Sequence, residues 1–201
     1  MVINVCILLD ETGSMQIAKD TTISAFNEYI TTLKKEKDKL QVSLTKFNSE
    51  RTNIVFTNKA VKDVPELTKE NYKPDHMTNL YDAIGKTINA LNTKKQDKVL
   101  FVIITDGEEN ASKEFKKEAI QALIKEKEKS NWTFVYLGAN QDAWLSASFI
   151  GIARGNTKTF STSNMRGTMS SLGKQTINYS RAGGQSSSHF WRGTDDKTKV
   201  R

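Results

Sequence analysis

The 201-residue chain suits one ordinary domain with a modest extension, and 37% hydrophobic residues are enough to bury a core. Its formal charge of +7 is lopsided: residues 1–138 carry 21 Lys+Arg against 20 Asp+Glu, whereas residues 139–201 carry 9 against 3. A basic final third can attract nucleic acid or another acidic surface, but its aromatics (Phe160, Tyr179, Phe190, Trp191) are too sparse to favour nucleic acid as the partner.

No apolar run approaches the ~20 residues of a membrane-spanning helix, so no membrane association is expected. The opening apolar stretch is cut by Asp10 and has no basic segment ahead of it, which argues against a secretory signal. The single cysteine, Cys6, cannot staple a secreted fold and points to a reducing cytoplasm. No neighbour in the sequence would activate it as a catalytic thiol.

Residues 2–9 are apolar and β-branched, as in a strand buried on both faces of a parallel sheet. Residues 14–37 follow as a helix with Ala18, Thr22, Ala25, Phe26, Tyr29, Ile30 and Leu33 on one stripe. Residues 40–47 and 53–57 read as two strands joined by a hairpin turn at 48–51. Residues 58–79 form a long polar loop holding both prolines, Pro65 and Pro74, with a helical turn near 64–67.

A second amphipathic helix is marked by Leu80, Ala83, Ile84, Ile88 and Leu91. Residues 98–105 (KVLFVIIT) are another fully buried strand. Residues 111–129 form a lysine-rich helix with Phe115, Ala119, Ala122 and Leu123 inward, and residues 132–137 a further strand. A short helix at 141–152, a weak strand at 157–162 and a last helix at 164–180 complete the domain. From Gly183 the composition turns to Gly, Ser and charge, so residues 183–201 are expected to be a flexible basic tail, with Phe190-Trp191 its one plausible docking point. Strands alternating with helices imply an α/β fold: a three-layer, Rossmann-like, doubly wound and mostly parallel sheet with helices on both faces.

Two buried strands end alike, one in Asp10-Glu-Thr-Gly-Ser14 and the other in Asp106-Gly-Glu-Glu-Asn110. Doubly wound sheets bind ligands at the carboxyl ends of their strands, where strand order reverses. If these two strands are neighbours there, Asp10 and Asp106 face one crevice, with the hydroxyls of Thr12 and Ser14 in the turn and that of Thr78 before the second helix. Two carboxylates and three hydroxyls are a hard, all-oxygen set that suits Mg²⁺, Mn²⁺ or Ca²⁺ and does not suit Zn²⁺. Where some members act through water, a coordination position stays open for a ligand.

The pattern Asp10-x-Thr12-x-Ser14, then Thr78, then Asp106-Gly107 resembles the metal-ion-dependent adhesion site (MIDAS) of von Willebrand factor type A (VWA) domains. Thr12 replaces the commoner serine and is itself a hydroxyl ligand. The order of elements across residues 1–182 is also similar to that family, in its small stand-alone bacterial and phage form. The resemblance implies that Thr12 and Ser14 touch the metal, that Asp10 and Asp106 act directly or through water, and that Thr78 joins conditionally. It further implies that the open position takes an Asp or Glu from a protein partner.

Glu11, Glu108 and Glu109 read as solvated or first-turn helix charges, and His76 as a surface histidine. The expected function is thus a divalent-metal-dependent protein-binding module, not an enzyme. One alternative is a Mg²⁺-dependent phosphatase with Asp10 as nucleophile, although Thr12 stands where such enzymes carry their general acid. The other is a basic interaction protein that binds nucleic acid through its C-terminal third.

Overall fold

The computed structural model describes residues 2–36, 40–91, 93, 97–139, 142–185 and 187–192. The apolar runs pair as one six-stranded sheet of β1 (Ile3–Asp10), β2 (Leu40–Asn48), β3 (Arg51–Ala60), β4 (Lys98–Thr105), β5 (Trp132–Ala139) and β6 (Thr157–Phe160). Their order is β3-β2-β1-β4-β5-β6, parallel throughout except for the β2–β3 hairpin. The expected doubly wound α/β fold is therefore present. Strand order reverses between β1 and β4, which opens a crevice at their carboxyl ends.

Alternation along β1 builds both halves of the core. Val5, Ile7 and Leu9 pack with Phe26, Tyr29 and Leu172 of α1 (Lys19–Leu33) and α5 (Met165–Arg181). Cys6 and Leu8 turn to the other face, against α2 (Leu80–Ala90), α3 (Lys117–Glu128) and α4 (Ala143–Phe149). All eight β1 residues are buried, which explains why the strand shows no polar alternation. Burial pushes the Cys6 thiol far above its ordinary pKa and leaves it inert. Among the described residues no helix is long and apolar enough to cross a membrane.

Several elements depart from their sequence-based bounds. The helix expected over 14–37 begins as a one-turn 3-10 segment, Gly13–Gln16, before α1 and ends in another, Lys34–Glu36; residue 37 lies outside the described residues, as does residue 141 of the helix expected at 141–152. The stripe predicted for α1 is buried as expected. Helix α3 starts at Lys117 instead of 111, because the Asp82 carboxylate accepts the N–H groups of Lys113, Glu114 and Phe115 (2.9, 2.9 and 2.8 Å) and holds that stretch as a loop. Its buried residues are Ile120 and Ile124, one turn apart, while Ala119 and Ala122 are exposed. The bulkier side chains win the inward face because they bury more apolar area. Within the loop expected to be polar, Val61, Val64, Leu67 and Tyr72 enter the core.

The segment expected to be flexible from Gly183 instead packs through Arg192; residues 193–201 lie outside the described residues. Helix α5 ends at Gly183 and Gly184, with φ of +84° and +59°, and their N–H groups return to the Ser180 and Tyr179 carbonyls. The chain then folds back under the sheet. The buried Asn156 side chain donates to the Ser187 carbonyl (2.6 Å) and accepts from the Phe190 N–H (2.8 Å). Phe190 is 5% exposed and lies 6.0 Å from the Tyr179 ring. Composition misjudged this segment because one buried aromatic outweighs a run of Gly and Ser. Phe190→Ala should lower stability by about 3–5 kcal/mol in urea unfolding; an unchanged midpoint would show that the docked segment adds nothing to the core.

Candidate metal centre

Asp10 is the last residue of β1 and Asp106 the first beyond β4, and the pairing of Leu9 with Ile104 sets these strand ends side by side. Asp10 is 0% exposed. Its Oδ1 accepts the Thr12 N–H (2.7 Å), and its Oδ2 accepts the Thr105 hydroxyl (2.5 Å). Thr105 was missed in the sequence; its signal was a threonine closing a buried apolar strand beside an acid. Ser14 donates its hydroxyl to Asp106 Oδ1 (2.6 Å), and Thr12 Oγ1 lies 3.1 Å from Ser14 Oγ. Neither Thr12 nor Ser14 spends its side chain on capping the following turn.

Thr78 reaches the same crevice from the loop before α2. Its N–H donates to Asn110 Oδ1 (3.0 Å), and its carbonyl accepts from the N–H groups of Asn110 and Ala111 (both 3.0 Å). A Cβ at Gly107 would stand 2.7 Å from Thr78 Oγ1, so only glycine lets this hydroxyl settle beside Asp106. All five residues singled out in the sequence therefore converge. The helix proper of α1 begins only at Lys19, so on that side a single 3-10 turn adjoins the crevice, not a full helix N-terminus.

Three acidic residues read as solvent-facing or helix charges divide otherwise. Glu11 is 1% exposed; its Oε1 accepts from Lys46 Nζ (2.9 Å) and the Lys73 N–H (2.8 Å), while Arg51 approaches its Oε2 (3.3 Å). Lys46 was the legible signal, since a lysine within a buried strand requires a counter-charge. Glu109 accepts from the N–H groups of Ala111, Ser112 and Tyr81 (2.9, 2.7 and 2.9 Å) and from the Ser112 hydroxyl (2.7 Å). Glu108 is exposed. The His76 side chain stays on the surface, but its backbone at φ +66° directs its carbonyl to the Gly13 N–H (2.9 Å).

Electrostatics follow from this enclosure. Burial is the largest influence on Asp10 and pushes its pKa up to about 6; the Thr105 and Thr12 hydrogen bonds oppose it, and the Asp106 charge adds to it. Burial also raises Asp106, against the Ser14 hydrogen bond. Tyr72 donates to the Asp10 carbonyl (2.7 Å), and its own pKa is raised by burial and then by Asp10, Glu11 and Asp106. Two carboxylates thus stand close together in a poorly solvated crevice, partly unrelieved.

The donor set fits a hard divalent cation. Ser14 and Thr12 present hydroxyl lone pairs, Ser14 keeps an acceptor for its proton in Asp106, and Ser14 itself is open to solvent. Among the described residues no group of three or more His, Cys, Asp or Glu is arranged to hold a metal, as expected where most donors are hydroxyls. Asp10 is fully buried, and each of its carboxylate oxygens accepts one hydrogen bond from inside the protein.

Asp10 yields a prediction for the metal-free protein. Its folded pKa near 6 lies above the unfolded value of about 4, so the folded state holds the proton more tightly. Its contribution to stability is full below pH 4 and is lost as pH rises through 6. Between pH 5 and 7 this one group should reduce stability by roughly 1 kcal/mol. Asp10→Asn, for which Thr105 can redirect its hydroxyl to the Gly107 carbonyl (3.2 Å), should lack that slope. Chemical denaturation in chelator at both pH values measures it, and identical slopes would refute the assignment.

A model of the von Willebrand factor type A domain family matches residues 4–175. No curated protein matches the chain. Among solved structures it is similar to proximal thread matrix protein 1 from the mussel byssus, at 13% identity and TM-score 0.65, covering 85% of this chain and 46% of that one. A further structure of the mussel protein has a zinc-occupied MIDAS motif, at 13% identity and TM-score 0.63, covering 91% and 46%. The von Willebrand factor type A protein from Catenulispora acidiphila gives 12% identity and TM-score 0.58, covering 88% and 43%. Manganese-loaded Plasmodium vivax TRAP protein gives 17% and 0.59, covering 83% and 71%. This chain spans less than half the length of the mussel and Catenulispora proteins, and at such identities the likeness is one of fold. With a family model covering most of its length, the chain belongs to the von Willebrand factor type A domain family.

Proposed function

We propose that this VWA domain is a divalent-metal-dependent protein-binding module that captures an acidic side chain of its partner. The observation that carries the reading is the oxygen cluster Thr12–Ser14–Asp106, linked at 3.1 and 2.6 Å, at the point where strand order reverses. In this reading Thr12, Ser14 and Asp106 hold the cation, Thr78 joins conditionally, and Asp10 acts through water. The bound cation supplies a Lewis-acidic position that a carboxylate oxygen fills. The protein's own residues do the rest: Thr105 and the Thr12 N–H fix Asp10, Glu11 fixes the turn through Lys73, and the Gly107–Thr78 contact sets the distant hydroxyl.

The all-oxygen donor set favours Mg²⁺, with Mn²⁺ or Ca²⁺ as alternatives. Manganese in the Plasmodium vivax protein and zinc in the mussel protein mean that both ions belong in the same titration, so zinc is not set aside on donor type alone. A partner's Asp or Glu meets both the hard-ligand requirement and the cation's charge. A cytoplasmic setting rests on the single buried thiol.

Calorimetry should show saturable Mg²⁺ binding. Ser14→Ala, Thr12→Ala and Asp106→Ala should each weaken it, and loss of the Asp10 carboxylate, acting through water, should cost about 10–100-fold. Affinity capture in Mg²⁺, eluted with chelator, should then release a partner whose retention is lost when one of its acids is amidated. Mg²⁺ affinity unchanged in both the Ser14 and Asp106 variants would sink the site; capture undiminished in chelator would sink the carboxylate mechanism.

A further inference from the structure

Beyond the metal crevice, with β5 lying between it and β4, the edge strand β6 forms the floor of an open groove of about 750 Å³ between α4 and the start of α5. That volume is within the range of small-molecule sites. Cations line it, with the Arg154 guanidinium over the Trp144 ring at 5.8 Å and the Lys158 ammonium over the Trp191 ring at 4.9 Å. Trp144 is 38% exposed, so much of its ring surface stays open to a ligand beside the guanidinium. Helix α5 has seventeen residues and no acid in its first turn, and a 3-10 turn (Thr162–Asn164) capped by the Ser161 hydroxyl runs into it along the groove.

A second observation points to a ligand. Thr168, in the first turn of α5, is 3% exposed and lines the groove, yet among the described residues its hydroxyl has no hydrogen-bond partner. Its neighbour Ser171 does return its hydroxyl to the helix, donating to the Gly167 carbonyl (3.0 Å). Thr168 makes no such return bond among the described residues. Across the groove, Asp142 uses one carboxylate oxygen to accept the Leu145 N–H (3.1 Å), which leaves the other oxygen as an acceptor.

We infer that this groove is a second ligand site and that it takes a nucleotide. Two cations and a free hydroxyl together suit a phosphate. An exposed indole suits a heteroaromatic base. The single carboxylate on the wall accepts from ribose hydroxyls or an exocyclic amine, and it disfavours a ligand that is anionic along its whole length. The groove shares no residue with Asp10, Thr12, Ser14, Thr78 or Asp106, so the site does not rest on the metal-binding proposal.

The probe is AMP, titrated into the full chain in chelator and followed by the backbone amide resonances of Gly167 and Thr168. Saturable shifts are expected there, with adenosine and inorganic phosphate each binding more weakly than AMP. Arg154→Gln and Lys158→Gln should each weaken AMP about tenfold. Trp144→Ala should weaken AMP by a similar factor while leaving phosphate unchanged. Thr168→Val, which preserves shape, should weaken both. None of the four variants should alter Mg²⁺ affinity. The proposal is overturned if AMP gives no saturable shift at Gly167 and Thr168, if the shifts persist undiminished in the Arg154 and Lys158 variants, or if they appear only when Mg²⁺ is restored. Phosphate binding as tightly as AMP and ignoring the Trp144 substitution would equally overturn it, leaving an anion site with no place for a base.

Discussion

The Asp10 carboxylate sits at the end of β1 with no solvent contact, and the surrounding crevice is arranged around it. Water would satisfy a carboxylate on every side; here a backbone N–H and one threonine hydroxyl take its place. That exchange leaves the charge under-solvated, and Asp106 adds a second negative charge nearby. Burying like charges together is unfavourable unless something neutralises them. The Ser14 hydroxyl is exposed beside this pair, with the buried Thr12 hydroxyl next to it, and that is the direction from which a cation can arrive. An electrostatic load that weakens the empty fold is thus the same feature that would draw a metal to it.

Such a crevice works only if its loops hold still, and other carboxylates serve as their fasteners. Glu11 clamps the turn after β1 to the loop at Lys73, with Lys46 and Arg51 balancing its charge. Asp82 takes three successive backbone N–H groups of the loop after β4, and Glu109 takes two more from that loop and one from α2. A carboxylate bonded to several amides holds that stretch of backbone in place, since charge-assisted hydrogen bonds are the stronger ones. Around the crevice, Glu11, Asp82 and Glu109 thus hold loop backbone, while Asp10 and Asp106 bring their charges together.

The sheet separates this acidic end from the basic part of the chain. Strand reversal places β1 and β4 at the centre, so their exits define the crevice, while β6 lies at an edge. The positive charge that accumulates after residue 139 appears around that edge, where Arg154 and Lys158 stack on tryptophans. Below it, Asn156 and Phe190 hold the returning segment against α5.

What the sequence determined by itself is the fold class; it also singled out the residues after β1 and β4, and Thr78 ahead of α2, that the fold brings together. Continuous β-branched runs such as residues 2–9 and 98–105 can be stable only with both faces covered, and the oxygen-bearing motifs follow directly on them in the chain. Those are local properties, carried by a dozen residues at a time. Tertiary structure alone decided which acids are free. Nothing adjacent to Glu11 distinguishes it from Glu108; a lysine 35 residues away does. The same holds for the start of α3, set by Asp82 from another helix, and for the tail, where a polar composition yielded to one phenylalanine finding Tyr179. Burial and counter-charge depend on neighbours brought together by the sheet, and no periodicity along the chain records them.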